Sequence, residues 1–228
     1  MTNRREEKPS RFVQYFEWGL AEVAGVRVFP ADSHWYLFVQ KQNGRTRFGV
    51  SGPMNRVIYV PHPANTECFG IRFTLGTFLP CLPTFVNNVL FLPEASHHAF
   101  WLNGSAWELP TFDNADSFVA RLLREELLIH DPVLDSVLSD QPQDMSFSTI
   151  RRRFLRATGL TAGTVRQIER ANYAAELLQK GMSILDTVHE AGYFDQPHLT
   201  RSLKHFIGQT PAQMLRDSTL NVLYNTPL

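Results

Sequence analysis

Cysteine, surplus charge and long apolar runs are all scarce in this chain, and each scarcity narrows its chemistry. The two cysteines, Cys68 and Cys81, stand in strand-like apolar surroundings and read as small buried hydrophobes rather than as disulfide, metal or redox thiols. Lys plus Arg and Asp plus Glu number 22 each, so no large electrostatic field draws a polyanion to the surface. Nothing suggests a membrane span, and the N-terminal MTNRREEKPS is charged with no apolar run behind it; no signal peptide is expected, and a cytoplasmic location is. Metal chemistry lacks its spacing. His34, His62, Glu67, His97 and His98 are the candidate ligands, yet no His-x-His or His-x-Glu pair puts two of them on one strand face, and His97 and His98 would point to opposite sides. A Gly-x-Ser-x-Gly elbow is also missing. Catalysis, metals and cofactors are therefore not expected, and no internal repeat or low-complexity segment appears.

What is present is an uneven distribution. At 228 residues and 43% hydrophobic content the chain can bury two modest cores. From Gln141 onward 10 Lys plus Arg face 7 Asp plus Glu, a balance of +3, leaving 12 against 15, or −3, for the rest. The basic excess falls on two patterned helical units. In Ser183 to Leu215, SILDTVHEAGYFDQPHLTRSLKHFIGQTPAQML, Ile184, Leu185 and Val188 form the apolar face of a short helix, Gly192 supplies a sharp turn, and Asp195 caps a second helix with Pro197 in its first turn. Leu199, Leu203 and Phe206 recur at three- and four-residue spacing and point inward, leaving Gln196, His198, Arg201, Lys204 and His205 outward. That is a helix-turn-helix whose second helix offers donors to a major groove. Upstream, in MSFSTIRRRFLRATG, Ser146 or Ser148 caps a helix, Ile150 and Phe154 share one face, and Gly159 closes it. Arg151, Arg152, Arg153 and Arg156 crowd around that pair, a cost that a phosphate backbone would relieve. Between the units, Val165, Ile168, Ala171, Ala175 and Leu178 stripe a rigid connecting helix. Two such units on one helix can address major-groove faces about 34 Å apart.

The first half has the period of strands. VRVFP (26–30), WYLFVQK (35–41), RTRFGV (45–50), NRVIYVP (55–61) and ECFGIRFTL (67–75) are β-branched and aromatic runs between turn residues, with Asn43-Gly44 a hairpin signal. A helix is expected over 116–129, striped by Phe118, Val119, Leu122, Leu123 and Leu127. The resulting fold class is α+β in two domains: an antiparallel β-rich barrel or sandwich over 1–130 and an all-α double helix-turn-helix over 131–228, with the boundary near His130-Asp131-Pro132.

Arg151 to Gly159 (RRRFLRATG), the connecting helix, Ala191 to Phe206 (AGYFDQPHLTRSLKHF) and the closing GQTP resemble the AraC/XylS family of bacterial transcription regulators over roughly the last 80 residues. The resemblance implies base and phosphate contacts at Ser148, Arg151 and Arg152 in the first unit and at Gln196, Pro197, His198 and Arg201 in the second. It also implies a β-rich, cupin-like sensor in front. Two departures stand out: PVLDSVL runs into the polar SDQPQDM where the family has a full scanning helix, and Pro197 occupies a position that often carries a base-reaching side chain.

The expected function is thus a sequence-specific DNA-binding transcription regulator, modulated through its N-terminal half. Its partners would be double-stranded DNA, a small-molecule effector and a second copy, with no membrane. As a sensor, the β half would enclose an apolar cavity within residues 20–115, with Trp35, Tyr36, Phe38, Phe48, Tyr59, Phe69 and Phe73 as lining or core and Arg72, if inward, demanding an anion from the protein or the ligand. As a dimerisation module, it would have a filled core and expose the wide apolar stripe of the 116–129 helix. A cupin-type metalloenzyme is the remaining, disfavoured alternative.

Overall fold

The computed structural model describes residues 2–7, as backbone, and 10–216; the end of the expected 131–228 unit thus lies outside the described residues. Strands come first: β1 (Thr2–Glu7), β2 (Val13–Ala21), β3 (Gly25–Phe29), β4 (Tyr36–Gln42), β5 (Arg45–Ser51), β6 (Ile58–His62), β7 (Thr66–Phe73), β8 (Thr77–Phe78), β9 (Val89–Phe91), β10 (Glu94–Ser96), β11 (Ala99–Leu102) and β12 (Ser105–Glu108). Six of them form one antiparallel sheet in the order β1-β2-β7-β4-β5-β9, with β3-β6 and β10-β11-β12 as smaller sheets. Asn43 and Gly44 both take positive φ (49° and 75°) and close the β4–β5 hairpin with Gln42 opposite Arg45, as a primed two-residue turn requires. Asn103 and Gly104 repeat this between β11 and β12.

Helices follow: α1 (Ala115–Arg124), then the short strand β13 (Ile129–His130) paired with β8, then α2 (Val133–Leu138), α3 (Phe147–Thr158), α4 (Ala162–Gln179), α5 (Ile184–Glu190), α6 (Gln196–Phe206) and α7 (Pro211–Arg216). The helix expected over 116–129 stops at Arg124 because Glu126 turns left-handed (φ 55°), which lets the Leu127 amide donate back to the Leu122 carbonyl. Its apolar stripe is not free. Phe118, Val119, Leu122 and Leu127 are buried, and Phe118 meets Phe48, Phe100 and Trp107 edge-on or tilted. The surface required by the dimerisation alternative is therefore consumed by the protein's own core.

That core does not stop where the strands do. One contiguous cluster of buried apolar side chains runs from Val13 through Trp35, Ile71 and Leu122 to Ile168, Leu203 and Met214. Cys68 is buried as expected, whereas Cys81 is exposed: it sits in the proline-flanked loop after β8, where no strand forms to bury it. No helix among the described residues is long and apolar enough to cross a membrane.

Candidate nucleic-acid interface

Local chemistry sets each helix end. Ser146, not Ser148, caps α3, accepting from the Thr149 amide at 3.3 Å, and Gly159 ends it at φ 68°. Asp195 caps α6, accepting from the His198 amide at 2.6 Å, after a turn through Gly192 at φ 66°. In α6, Leu199, Leu203 and Phe206 are buried as expected. Of the apolar residues of α5 only Val188 is fully buried; Leu185 is 65% exposed because the buried Thr187 takes the inward position beside Ile184 and Val188, leaving Leu185 about 100° round the helix from Ile184. The first unit is shortened as its sequence suggests, since α2 has six residues and is followed by a polar connection to Ser146.

The four arginines of α3 divide. Arg153 reaches back to Asp131 at 2.8 Å and Arg156 lies over the Phe78 ring, so two of the four find partners inside the protein without a polyanion. Ser148, Arg151 and Arg152 are exposed on one side of α3, three and four residues apart. Gln196, Pro197, Arg201, Lys204 and His205 are exposed on α6. His198 is half-buried, its ring edge-on to Tyr193 at 5.1 Å, and the Tyr193 hydroxyl lies 2.9 Å from Ser202 Oγ. Arg151, Arg152, Arg201 and Lys204 have no ion pair within the described residues, so their charge remains available to a ligand.

α4 ties the units together, its expected stripe fully buried. Arg166 donates to the Val137 carbonyl at the end of α2 and pairs with Asp140, while the Arg170 guanidinium stacks 4.6 Å over Tyr193 and Tyr173 donates to Glu190. The β half supplies what spacing arguments missed. Trp35 Nε1 donates to the Ala157 carbonyl at 2.7 Å and Thr84 Oγ1 to the Arg156 carbonyl at 3.0 Å, so both satisfy the last turn of α3. The amides of Ala31 and Val57 donate to the carbonyls of Phe206 and His205, which end α6, at 2.6 and 3.1 Å. Each exposed helix is thus held at its C-terminal end by the strand-rich half.

The expected ligand-lining residues scatter. Trp35, Phe48, Phe69 and Phe73 fill the core. Tyr36 lies across Gly70, where a side chain would collide with its hydroxyl, and donates to the buried Glu17 at 2.7 Å. Burial, then the neighbouring Glu17 carboxylate, raises the Tyr36 pKa well above its ordinary value. Phe38 stacks on Tyr36 and meets Phe91 edge-on. Tyr59 is 55% exposed on β6 and cannot line an enclosed cavity. Arg72 does point inward, and its anion is Asp32 of the protein at 2.7 Å, with His34 Nδ1 at 2.9 Å. Burial alone would raise the Asp32 pKa, but Arg72 and His34 outweigh it and hold the carboxyl far below the usual range. A cavity of about 30 Å³ between Phe48, Phe100 and Leu109 holds a water or two, not an effector. Among the described residues no three His, Cys, Asp or Glu side chains form a metal-ligand set.

Residues 143–217 match the helix-turn-helix domain family. No curated protein matches the chain. Among solved structures it is similar to ToxT from Vibrio cholerae, at 10% identity over 94% of this chain and 97% of that one with a TM-score of 0.41. It is similar also to ToxT from Vibrio cholerae O395, at 11% identity over 96% and 97% with a TM-score of 0.39. A third is that O395 protein bound to (E)-4-(8-methylnaphthalen-1-yl)but-3-enoic acid, at 10% identity over 94% and 97% with a TM-score of 0.40.

Proposed function

We propose that this chain, a DNA-binding transcription regulator carrying an AraC/XylS-type helix-turn-helix domain, reads DNA with two helices, α3 and α6, whose mutual placement its strand-rich half controls. Ser148, Arg151 and Arg152 contact phosphate and base edges in one groove. Gln196, His198 and Arg201 read bases in the next, with Pro197 packing beside them. The 18 residues of α4 rise about 27 Å, a span suited to successive turns of one duplex face. The observation that carries this reading is the exposure of Arg151, Arg152, Arg201 and Lys204 with no internal ion pair, beside Arg153 and Arg166, which have one. We divide the chain between His130 and Asp131 into a regulatory and a DNA-binding half. An effector would act where the halves meet, and a second copy is not required for the two units to be read together.

The test is binding of the purified full-length protein to its own upstream DNA and to random duplex at two salt concentrations. Preference for the upstream DNA, with a salt slope of only a few units, is the expected result. Equal affinity for both duplexes would refute base reading.

A further inference from the structure

Two phenylalanines stand out in water at the start of the two exposed helices, one on either side of a cap. Phe147, 82% exposed, is the first residue of α3, directly after its cap Ser146; Phe194, 91% exposed, directly precedes Asp195, the cap of α6. A hydrophobic residue just before a cap ordinarily staples onto the fourth helical position. That position is Leu199, fully buried, yet Phe194 stays outside. Neither ring takes part in an aromatic pair among the described residues. Leaving a Phe in water forgoes the burial of a large apolar side chain, and here that happens on both of the helices that carry the unpaired cations and donors.

We infer that Phe147 and Phe194 are the apolar half of the DNA interface, each covering a thymine 5-methyl group in the major groove. The inference rests on the reading of α3 and α6 as the DNA-contacting helices. The patch is continuous with that surface: Phe147 adjoins Ser148 and lies four residues from Arg151, and Phe194 lies two residues from Gln196. In the major groove of an intact duplex the base edges offer donors, acceptors and one apolar group, the thymine methyl. Aromatic insertion between base pairs belongs to minor-groove wedges, not to residues beside a helix that presents Gln, His and Arg to the major groove. Phenylalanine has no hydrogen-bonding atom, so methyl contact is the base-specific interaction open to it.

The experiment replaces each thymine of the bound upstream duplex by uracil, which removes only the methyl. Full-length wild type should lose about fourfold in affinity at one or more thymines in each half-site, the burial of one methyl-sized group. Phe194→Ala should lose that sensitivity in the half-site of α6 and keep it in the other, and Phe147→Ala should do the reverse. Both variants remove exposed side chains, and an unchanged melting temperature verifies that they fold. Wild-type affinity for every uracil duplex equal to that for the parent would overturn the inference. So would an undiminished uracil penalty in both variants, which would place the thymine methyls against other side chains. A parent duplex bound no better than random DNA would instead overturn the DNA-reading assignment itself, and this inference with it; that failure is seen before any uracil is introduced.

Discussion

Replacing Trp35 by Phe should separate the grip of the strand-rich half on α3 from everything else in the fold. The indole is 1% exposed, and its Nε1 donates to the Ala157 carbonyl at 2.7 Å. Ala157 is itself fully buried, so bulk solvent does not reach that carbonyl once the donor is gone. A buried acceptor left unmet costs about 1–3 kcal/mol, and the smaller ring, which also loses contact with Phe85, adds about 1 kcal/mol. With a urea slope of roughly 3 kcal/mol/M, a loss of about 3 kcal/mol lowers the unfolding midpoint by about 1 M. Thr84→Val removes the neighbouring donor to the Arg156 carbonyl from an exposed site, so its cost should stay under about 1 kcal/mol, or about 0.3 M. The DNA readout is independent of the midpoint. Because α6 keeps its own contacts to Ala31 and Val57, Trp35→Phe should weaken binding to a duplex carrying both half-sites and leave binding to the α6 half-site alone unchanged. A midpoint shift for Trp35→Phe no larger than that for Thr84→Val, or equal weakening on both duplexes, would refute the reasoning.

Arg201→Ala should cost about 1–3 kcal/mol on the best site and relax discrimination at one base position; an equal loss on random DNA would count against base reading. Arg152→Ala should weaken binding evenly across sequences and flatten the salt slope by about one unit, and an unchanged slope would exclude a phosphate contact. Asp32→Asn leaves the Arg72 charge buried without its carboxylate and should cost about 3–5 kcal/mol, which Asp32→Asn combined with Arg72→Met should largely restore; a double variant no more stable than the single would sink the ion-pair argument. His130 titrates low because it is buried, against the opposing pull of Asp135. The fold therefore favours neutral imidazole, and the stability this confers is full above the ordinary histidine pKa of 6.5 and declines as pH falls below it. The urea midpoint should drop between pH 7 and about pH 5.5, less so in His130→Asn. Asp32, depressed rather than raised, keeps its contribution across that window, and an equal drop in both proteins would clear His130.

The helical third was legible because its signals are local. Caps at Asp195 and Ser146, left-handed glycines at 159 and 192 and the spacing of Leu199, Leu203 and Phe206 act within a few residues, and each fell where the sequence put it. Leu185 misled because the third inward position of α5 is filled by Thr187, which no apolar stripe reveals. In the strand half, Asn43-Gly44 marked its hairpin, whereas β2 was missed because its buried face carries the carboxylate of Glu17 while Phe16, Trp18 and Leu20 on the other face are apolar, so the sequence shows no polar-apolar alternation. Arg72 could be read only as needing an anion; that the anion is Asp32, 40 residues away, is a fact of topology. The same holds for Trp35, which looks like any core aromatic until its indole is found on a helix end 122 residues distant.

That last contact belongs to a segment whose five residues bear on the whole reading apparatus. The Ala31 amide caps α6, Asp32 holds Arg72 of β7 and His34, Ser33 donates to Glu169 of α4 at 2.7 Å, and Trp35 caps α3. One short connection between β3 and β4 therefore touches both exposed helices and the helix that joins them. A boundary drawn near His130 by composition is not a flexible joint, since the shared core and these bonds cross it. Changing the spacing of α3 and α6 requires breaking the contacts that Ala31, Ser33 and Trp35 make to the helices, each worth about 1 kcal/mol net. Three such contacts sum to about 3 kcal/mol, about half of the roughly 5.5 kcal/mol of differential affinity with which a ligand takes a two-state equilibrium from 1:99 to 99:1. At that size the grip favours one spacing of the two helices in the free protein by about a hundredfold.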